Sequence, residues 1–426
     1  MRLDLALDRS IRGLEPRERS FARELAFGTV RLQGRLDHLL APHVKGGLRR
    51  LHGDVLRILR LGLYQVLYLD VPDYAAVSQA VDQSRAVGQG RAAGLVNAVL
   101  RAAGRSGAGP ERFPAPEDDP VGFLTAWGSH PRWMVERWLR RWPFDEVRRL
   151  VELNNRVPDL FFVPASADAL ESAAERLLGE PGAEVDTLPV AGTVVEVLPV
   201  PGVLRVAGID PARLLERVSG FIQDPAAALV CRYAAPRLGS LVADLCAAPG
   251  GKALSLARRA GYVLAADPSE ARLRLLRENV ERLGLPVGVV RARAEEPPLD
   301  GRGTRAPDLT LLDVPCSGTG TLRRHPDARW RLAEDAPREM ASVQARILRG
   351  AAPAVPSGGV LVYSTCTLEP EENLEVVNGF LGEHPDFRWL PPEDPELELD
   401  EAGWLEVLPQ RTGYDGAFAA RLVRTG

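Results

Sequence analysis

Three patterns of apolar and polar positions follow one another along the chain. Over residues 1–107 apolar side chains recur at every third and fourth place, in FARELAFGTVRLQGRLDHLL, in DVLRILRLGLYQVLYLD and in AAGLVNAVLRAA. That period turns one helix face inward, so an all-α bundle is predicted there. The stretch RSGAGPERFPAPEDDPVG breaks the period with Pro, Gly and charge and marks a linker, placed at 108–126. Residues 127–220 open on helical HPRWMVERWLRRWPFDEVRRLVELNNR. Short β-like runs, LFFVPA and TVVEVLPV, follow with helical ADALESAAERLLG between them, and together they predict a small α/β domain. Over 221–426 the apolar runs SLVADL, YVLAAD, PVGVVR, DLTLLD and GGVLVYS alternate with the helical segments ALSLARRA, EARLRLLRENVERLG and REMASVQARILRGAA. This alternation predicts a doubly wound α/β domain with a mostly parallel sheet.

Composition agrees with several domains. A chain of 426 residues exceeds one average core, and 45% hydrophobic with 26% charged residues is the balance of an ordinary globular protein. There is no N-terminal apolar core with a cleavage site and no run long enough to span a bilayer, so a cytoplasmic protein without a membrane partner is expected. The net charge of −4 argues against a uniformly basic nucleic-acid binder and leaves room for a local arginine patch. Cys231, Cys246, Cys316 and Cys366 are widely spaced, with no CxxC pair and no histidine at ligand spacing. Neither a metal site nor a disulfide framework is expected, and the chain is read as a monomer.

Candidate chemistry lies where strands give way to helices, the edge on which doubly wound sheets bind ligands. DLCAAPGGK, residues 244–252, joins the first of these strands to its helix. Cys246, Ala247, Ala248, Pro249, Gly250 and Gly251 let the backbone approach a ligand closely, and the helix N-terminus offers free N–H groups. The loop is neither GxGxxG nor a Walker loop. Asp267 ends the next strand, where a carboxylate accepts hydrogen bonds from ribose hydroxyls. A tight loop and a ribose acid without a phosphate cradle point to S-adenosylmethionine. Two later strands finish in LLDVPCSG and VLVYSTCT, which set Asp313, Cys316 and Cys366 on the same edge, where a thiolate can act as a nucleophile.

DLCAAPGGK, LLDVPCSGTG, RRHPDARW and YSTCTLEPEEN together resemble the motif set of the RNA (cytosine-5)-methyltransferases, the family with Pro-Cys and Thr-Cys catalytic cysteines. RELAFGTVRLQGRLDHLL, LRLGLYQVLYLDVP and GLVNAVLR resemble the NusB-like domain that precedes the catalytic domain in the bacterial 16S ribosomal RNA members. The resemblance implies a Rossmann-like S-adenosylmethionine-dependent methyltransferase domain. By it, Cys366 adds to carbon 6 of cytosine, Cys316 releases the methylated base, and Asp313 hydrogen-bonds the ring edge. It implies RNA as partner, small-subunit ribosomal RNA ahead of transfer RNA, against the alternative of a noncatalytic ribosome-assembly factor.

Lys252 is one of two lysines, with Lys45, in a chain otherwise served by arginine. A compact ammonium can hold Asp313 or favour a thiolate where a wide, planar guanidinium would displace the base, so Lys252 is read as a catalytic residue. The chain departs from the family pattern at RARAEE, where Arg293 stands in place of an adenine-contacting Asp and either Arg293 could stack on the base or Glu295 could substitute, and at LFFVPAS, where relatives carry an Arg-x-Asn strand. Arg323, Arg324 and His325, directly after the Pro-Cys loop, are candidate RNA contacts. The arginines of 132–156 could meet phosphates, whereas Trp138 and Trp142, one helical turn apart, read as a packed face.

Overall fold

The apolar stripes of the first hundred residues close on one another as the helices Pro16–Arg31, Gln33–Leu40, Gly53–Tyr68, Asp73–Ala86 and Ala93–Ser106. Leu36, Leu40, Leu59, Leu63 and Leu100 are fully buried between them, each worth roughly 2 kcal/mol of transfer from water. These observations come from a computed structural model that describes residues 3–166, 170–178, 193–299, 301 and 306–425. The chain forms two units, one of Met1–Val157 with Leu322–Glu334, the other of Pro158–Thr321 with Asp335–Gly426.

The helical unit extends past the bundle. Within the predicted linker a helix begins at Pro120 and runs to Ala126, capped by the Asp119 carboxylate, which accepts the Gly122 N–H at 2.8 Å. Helices Arg132–Leu139 and Phe144–Asn154, expected with the small α/β module, group instead with this unit. Trp138 is fully buried and Trp142 nearly so, so these rings serve packing. The segment Leu322–Glu334 is held by Arg329, which is 0% exposed. Its guanidinium donates to Asn155 Oδ1 at 2.8 Å, to the Asn154 carbonyl at 2.9 Å and to the Ser129 carbonyl at 3.1 Å. Burial first, and then Arg31, lower its pKa to about 9. Trp330 Nε1 adds a hydrogen bond to the Val30 carbonyl at 2.8 Å.

The second unit carries two sheets. The strands β1 (Leu160–Pro164), β2 (Val194–Val197), β3 (Leu204–Ala207) and β4 (Gly220–Ile222) form an antiparallel sheet in the order β2-β3-β1-β4. Phe162, Leu204 and Val206 pack there with Ala173 and Leu177 of the helix Leu170–Leu178.

The larger sheet comprises β5 (Leu241–Asp244), β6 (Tyr262–Asp267), β7 (Val287–Arg291), β8 (Leu309–Asp313), β9 (Val360–Thr365), β10 (Phe387–Trp389), β11 (Leu405–Val407) and β12 (Ala417–Arg424). Its order is β10-β12-β9-β8-β5-β6-β7, with β11 paired to β12. β5 to β9 are parallel, and β12 enters antiparallel to β9 and pairs antiparallel with β10 and β11. Apolar clusters cover both faces, the condition under which a parallel sheet is stable. From β5 the chain winds to β6 and β7 on one side and then returns to β8 on the other. The strand order reverses there, and the C-terminal ends of β5, β6, β8 and β9 converge on the resulting crevice. Among the described residues no helix is long and apolar enough to cross a membrane.

Candidate active site

β5 delivers Asp244 to the crevice fully buried. Its Oδ1 accepts the Cys246 N–H at 3.3 Å, while Oδ2 has no hydrogen-bond partner among the described residues. Burial, reinforced by the like charge of Asp313, raises its pKa to about 7. The loop that follows is pinned by the Ala247 N–H, which donates to the Ala266 carbonyl at 2.9 Å. Gly250 has φ +119°, and a Cβ there would stand 2.4 Å from Leu276 Cδ1, so only glycine fits. Gln223 lines the same loop with its Nε2 unpartnered among the described residues, 3.4 Å from where a Cβ on Gly251 would be. Asp267, at the end of β6, is 2% exposed. It accepts the Ser269 N–H at 2.8 Å and faces Arg272 at 3.4 Å.

Lys252 sits in the first turn of the helix Gly251–Ala257. Its Nζ donates to Asp313 Oδ2 at 2.8 Å, and Ser364 Oγ donates to Asp313 Oδ1 at 2.9 Å across the β8–β9 register. Burial works against the ammonium, but the charge and hydrogen bond of Asp313 outweigh it and hold its pKa above the ordinary value. Cys366 lies within the same electrostatic field.

The loops after β8 and β9 bring Cys316 and Cys366 together, sulfur to sulfur at 3.2 Å, with the Cys366 N–H on Cys316 Sγ at 3.4 Å. The hydrogen bond to Cys366 comes first, then burial, then the charges of Cys366 and Glu372. Together they push the Cys316 thiol well above its usual range. Gly320 permits the approach, since its N–H meets the Cys366 carbonyl at 3.1 Å and a Cβ would stand 2.7 Å from that oxygen. The other two cysteines stand apart from the thiol pair. Burial pushes Cys231 up to about 12 and Cys246 well above its ordinary value, which keeps both as thiols.

The structure therefore unites Lys252, Asp313, Cys316 and Cys366 with the loop 246–251. Arg293, past β7, has a side chain 67% exposed and pairs with Glu295 at 3.2 Å. Arg323, Arg324 and His325 belong to the helical unit. Arg323 is buried at 3% exposure, and Arg324 and His325 are half-buried. Sequence reasoning passed over Asp244, Ser364 and Glu372. Glu372 stood inside the quoted YSTCTLEPEEN, but only the fold shows that its side chain turns inward.

Residues 232–423 match the family model for the 16S rRNA methyltransferase RsmB/F, and residues 2–105 match the NusB family. The chain is 33% identical to "Probable ribosomal RNA small subunit methyltransferase B" of Bacillus subtilis over 97% of its length and 92% of that relative. The chain belongs to the RsmB/F family. It is 33% identical to "Ribosomal RNA small subunit methyltransferase B" of Pseudomonas putida, over 99% of its own length and 94% of that protein. Among solved structures, the one titled "Crystal Structure of PH0851" shares the fold at TM-score 0.77 and 24% identity, covering 98% of this chain and 93% of that one. A methyltransferase homologue from Pyrococcus horikoshii aligns at TM-score 0.57 and 25% identity, covering 73% and 99%. As an RsmB/F member the chain is an S-adenosylmethionine-dependent RNA methyltransferase with an N-terminal NusB domain.

Proposed function

We propose that the chain methylates carbon 5 of a cytosine in RNA, with small-subunit ribosomal RNA as substrate, through a covalent adduct on Cys366. The observation that carries the reading is the 3.2 Å thiol pair on the ligand-binding edge of the sheet, beside the Lys252–Asp313 ion pair. The relatives named as small-subunit ribosomal RNA methyltransferases support that RNA as the substrate.

S-adenosylmethionine, when bound, supplies an electrophilic methyl group. The residues of the crevice fit such a ligand. Cys246, Ala247, Ala248, Pro249, Gly250, Gly251 and Lys252 would form its floor. Asp267 retains acceptor capacity for ribose hydroxyls, because two carboxylate oxygens offer about four lone-pair sites. The unsatisfied acceptor Asp244 Oδ2 and the unsatisfied donor Gln223 Nε2 match the ammonium and carboxylate of an amino-acid group.

Carbon 5 of cytosine is a weak nucleophile. The Cys366 thiolate adds to carbon 6, forming a sulfur–carbon bond and turning carbon 5 enamine-like, so that carbon 5 would take the methyl group as its bond to the sulfonium sulfur breaks and the neutral thioether leaves. The carbon 5 proton then leaves and the sulfur–carbon bond breaks, which restores the thiolate and the aromatic ring. Cys316 takes that proton once its own has passed to solvent, or holds a water that takes it. Asp313, held by Lys252 and Ser364, would receive the ring edge in fixed orientation. Arg324 and His325 keep surface for RNA, whereas the buried Arg323 acts within the helical unit.

The test is to incubate Cys316→Ala with small-subunit RNA, and separately with transfer RNA, plus S-adenosylmethionine. A denaturant-resistant protein–RNA adduct that vanishes when Cys366 is also replaced supports the mechanism, and the RNA that forms it names the substrate. Wild-type methylation without any adduct would refute the role of Cys316, and no methylation of either RNA would favour a noncatalytic binding role.

A further inference from the structure

One buried acid joins the two catalytic loops and takes no part in the chemistry above. Glu372 is 0% exposed, in the short 3₁₀ turn after β9. Its Oε2 accepts the Ser317 N–H at 2.8 Å and Gln344 Nε2 at 2.9 Å. Its Oε1 accepts the hydroxyl of Thr367 at 3.0 Å and that of Ser317. Ser317 directly follows Cys316, and Thr367 directly follows Cys366. A single carboxylate therefore grips the residue after each cysteine.

The surroundings tighten this grip. The Ser317 and Thr367 hydroxyls lie 2.8 Å apart, Thr319 Oγ1 meets Thr367 Oγ1 at 3.0 Å, and the Leu368 N–H donates to Thr319 Oγ1 at 2.9 Å. Gln344, from the helix Ala336–Ala351, also donates to the Pro315 carbonyl at 3.0 Å. The main chain of Glu372 is fixed by the Tyr363 hydroxyl, which donates to its carbonyl at 2.6 Å. Four donors fill the four lone-pair sites of a carboxylate. None is left to accept a proton from substrate, so the group positions and does not react. Burial raises its pKa against these four hydrogen bonds, so holding a carboxyl here has a cost that an apolar core residue would not carry.

We propose that Glu372 is a positioning residue that sets the working distance between Cys316 and Cys366, and that the release half of the reaction depends on it. This rests on the two-cysteine mechanism proposed above. Addition to carbon 6 needs Cys366 alone, whereas release needs Cys316 aligned with a base already bonded to Cys366. Loosening the Ser317 anchor displaces Cys316 first, and a misplacement of about 1 Å costs about a hundredfold in rate.

Glutamine at this site keeps the shape. Its oxygen can accept from the Ser317 N–H and Gln344, and its amide can donate to the Ser317 and Thr367 hydroxyls, both of which also accept. Glu372→Ala leaves buried donors unpaired and is expected to lower stability as well. Thr367→Val removes the hydroxyl that links Glu372 to Ser317 and Thr319, so it loosens the grip on both loops while preserving shape.

The experiment measures turnover and the fraction of protein trapped as a denaturant-resistant adduct with small-subunit RNA and S-adenosylmethionine, for wild type, Glu372→Ala, Glu372→Gln, Thr367→Val and the Cys316→Ala control. Glu372→Ala is expected to accumulate adduct and lose about a hundredfold in turnover, Thr367→Val to show a milder form of both, and Glu372→Gln to release its adduct as wild type does. If Glu372→Ala fails to fold, the comparison of Thr367→Val with Glu372→Gln decides. Turnover that falls with folded fraction while no variant but Cys316→Ala traps RNA would overturn the proposal, as would adduct accumulating in Glu372→Gln. Absence of adduct even from Cys316→Ala would instead overturn the two-cysteine mechanism beneath it.

Discussion

Lys252 Nζ and Asp313 Oδ2 meet at 2.8 Å, although the two residues come from different strand ends of the sheet. The ammonium is 16% exposed at its side chain and reaches Asp313 from the first turn of its own helix. A guanidinium at 252 would put a planar fork where a point charge now stands. Lys252→Arg is expected to keep the fold and lower kcat by about a hundredfold through displacement of Asp313 and the base it orients. Thermal unfolding together with single-turnover methylation checks this, and near-normal turnover would dispose of the idea.

The two cysteines should fail differently. Cys366→Ala is expected to abolish both methylation and adduct, and Cys316→Ala to abolish turnover but trap the RNA, because in the proposed mechanism addition survives and release does not. Denaturing gel analysis with labelled RNA separates the two outcomes.

Asp244 ties stability to pH. Its pKa is raised to about 7 in the folded chain by burial, whereas an unfolded Asp titrates near 4. Below about pH 4 both states hold the proton and the contribution is fully present. From there to about 7 only the folded state holds it, so stability falls as pH rises, by up to about 4 kcal/mol from this group. Denaturant unfolding of Asp244→Asn between pH 4 and 8 should show a flatter dependence than wild type. An unchanged slope would mean that Asp244 titrates normally.

Arg329 should matter to the helical unit and not to the chemistry of the cysteines. Arg329→Ala removes the donor to Asn155, to Asn154 and to Ser129, leaving buried oxygens unpaired at a cost of roughly 3 kcal/mol. Limited proteolysis is expected to open the segment 322–334 in this variant while it stays closed in wild type.

The legible part of the sequence was the part with a single explanation. β5, β6, β8 and β9 are apolar along most of their length because both faces are covered, and the loops after them carry chemistry in a short, rigid spacing. The antiparallel additions were harder to see. β12 contains Arg421 and Arg424, which break an apolar run, yet Arg421 Nη1 donates to the Leu390 carbonyl at 2.8 Å and Arg424 pairs with Asp386 at 2.9 Å. Periodicity showed that 132–154 is helical but carries no information about which neighbour a helix chooses. The helix at Pro120–Ala126 was hidden by the Pro and Asp content of its surroundings, although Asp-Pro is itself a helix-start signal. Glu372 went unremarked because burial of a charge depends on partners that only the folded chain assembles.

Arg329 also separates the order of synthesis from the order of folding. Chains fold from the N-terminus as they emerge, yet the helical unit takes in Leu322–Glu334, made only after most of the catalytic unit. The pocket for Arg329 at Ser129, Asn154 and Asn155 is therefore made well before the arginine that fills it. The stretch of translation that supplies this segment has just produced the Cys316 loop, so the helical unit takes in its last piece only after that loop exists.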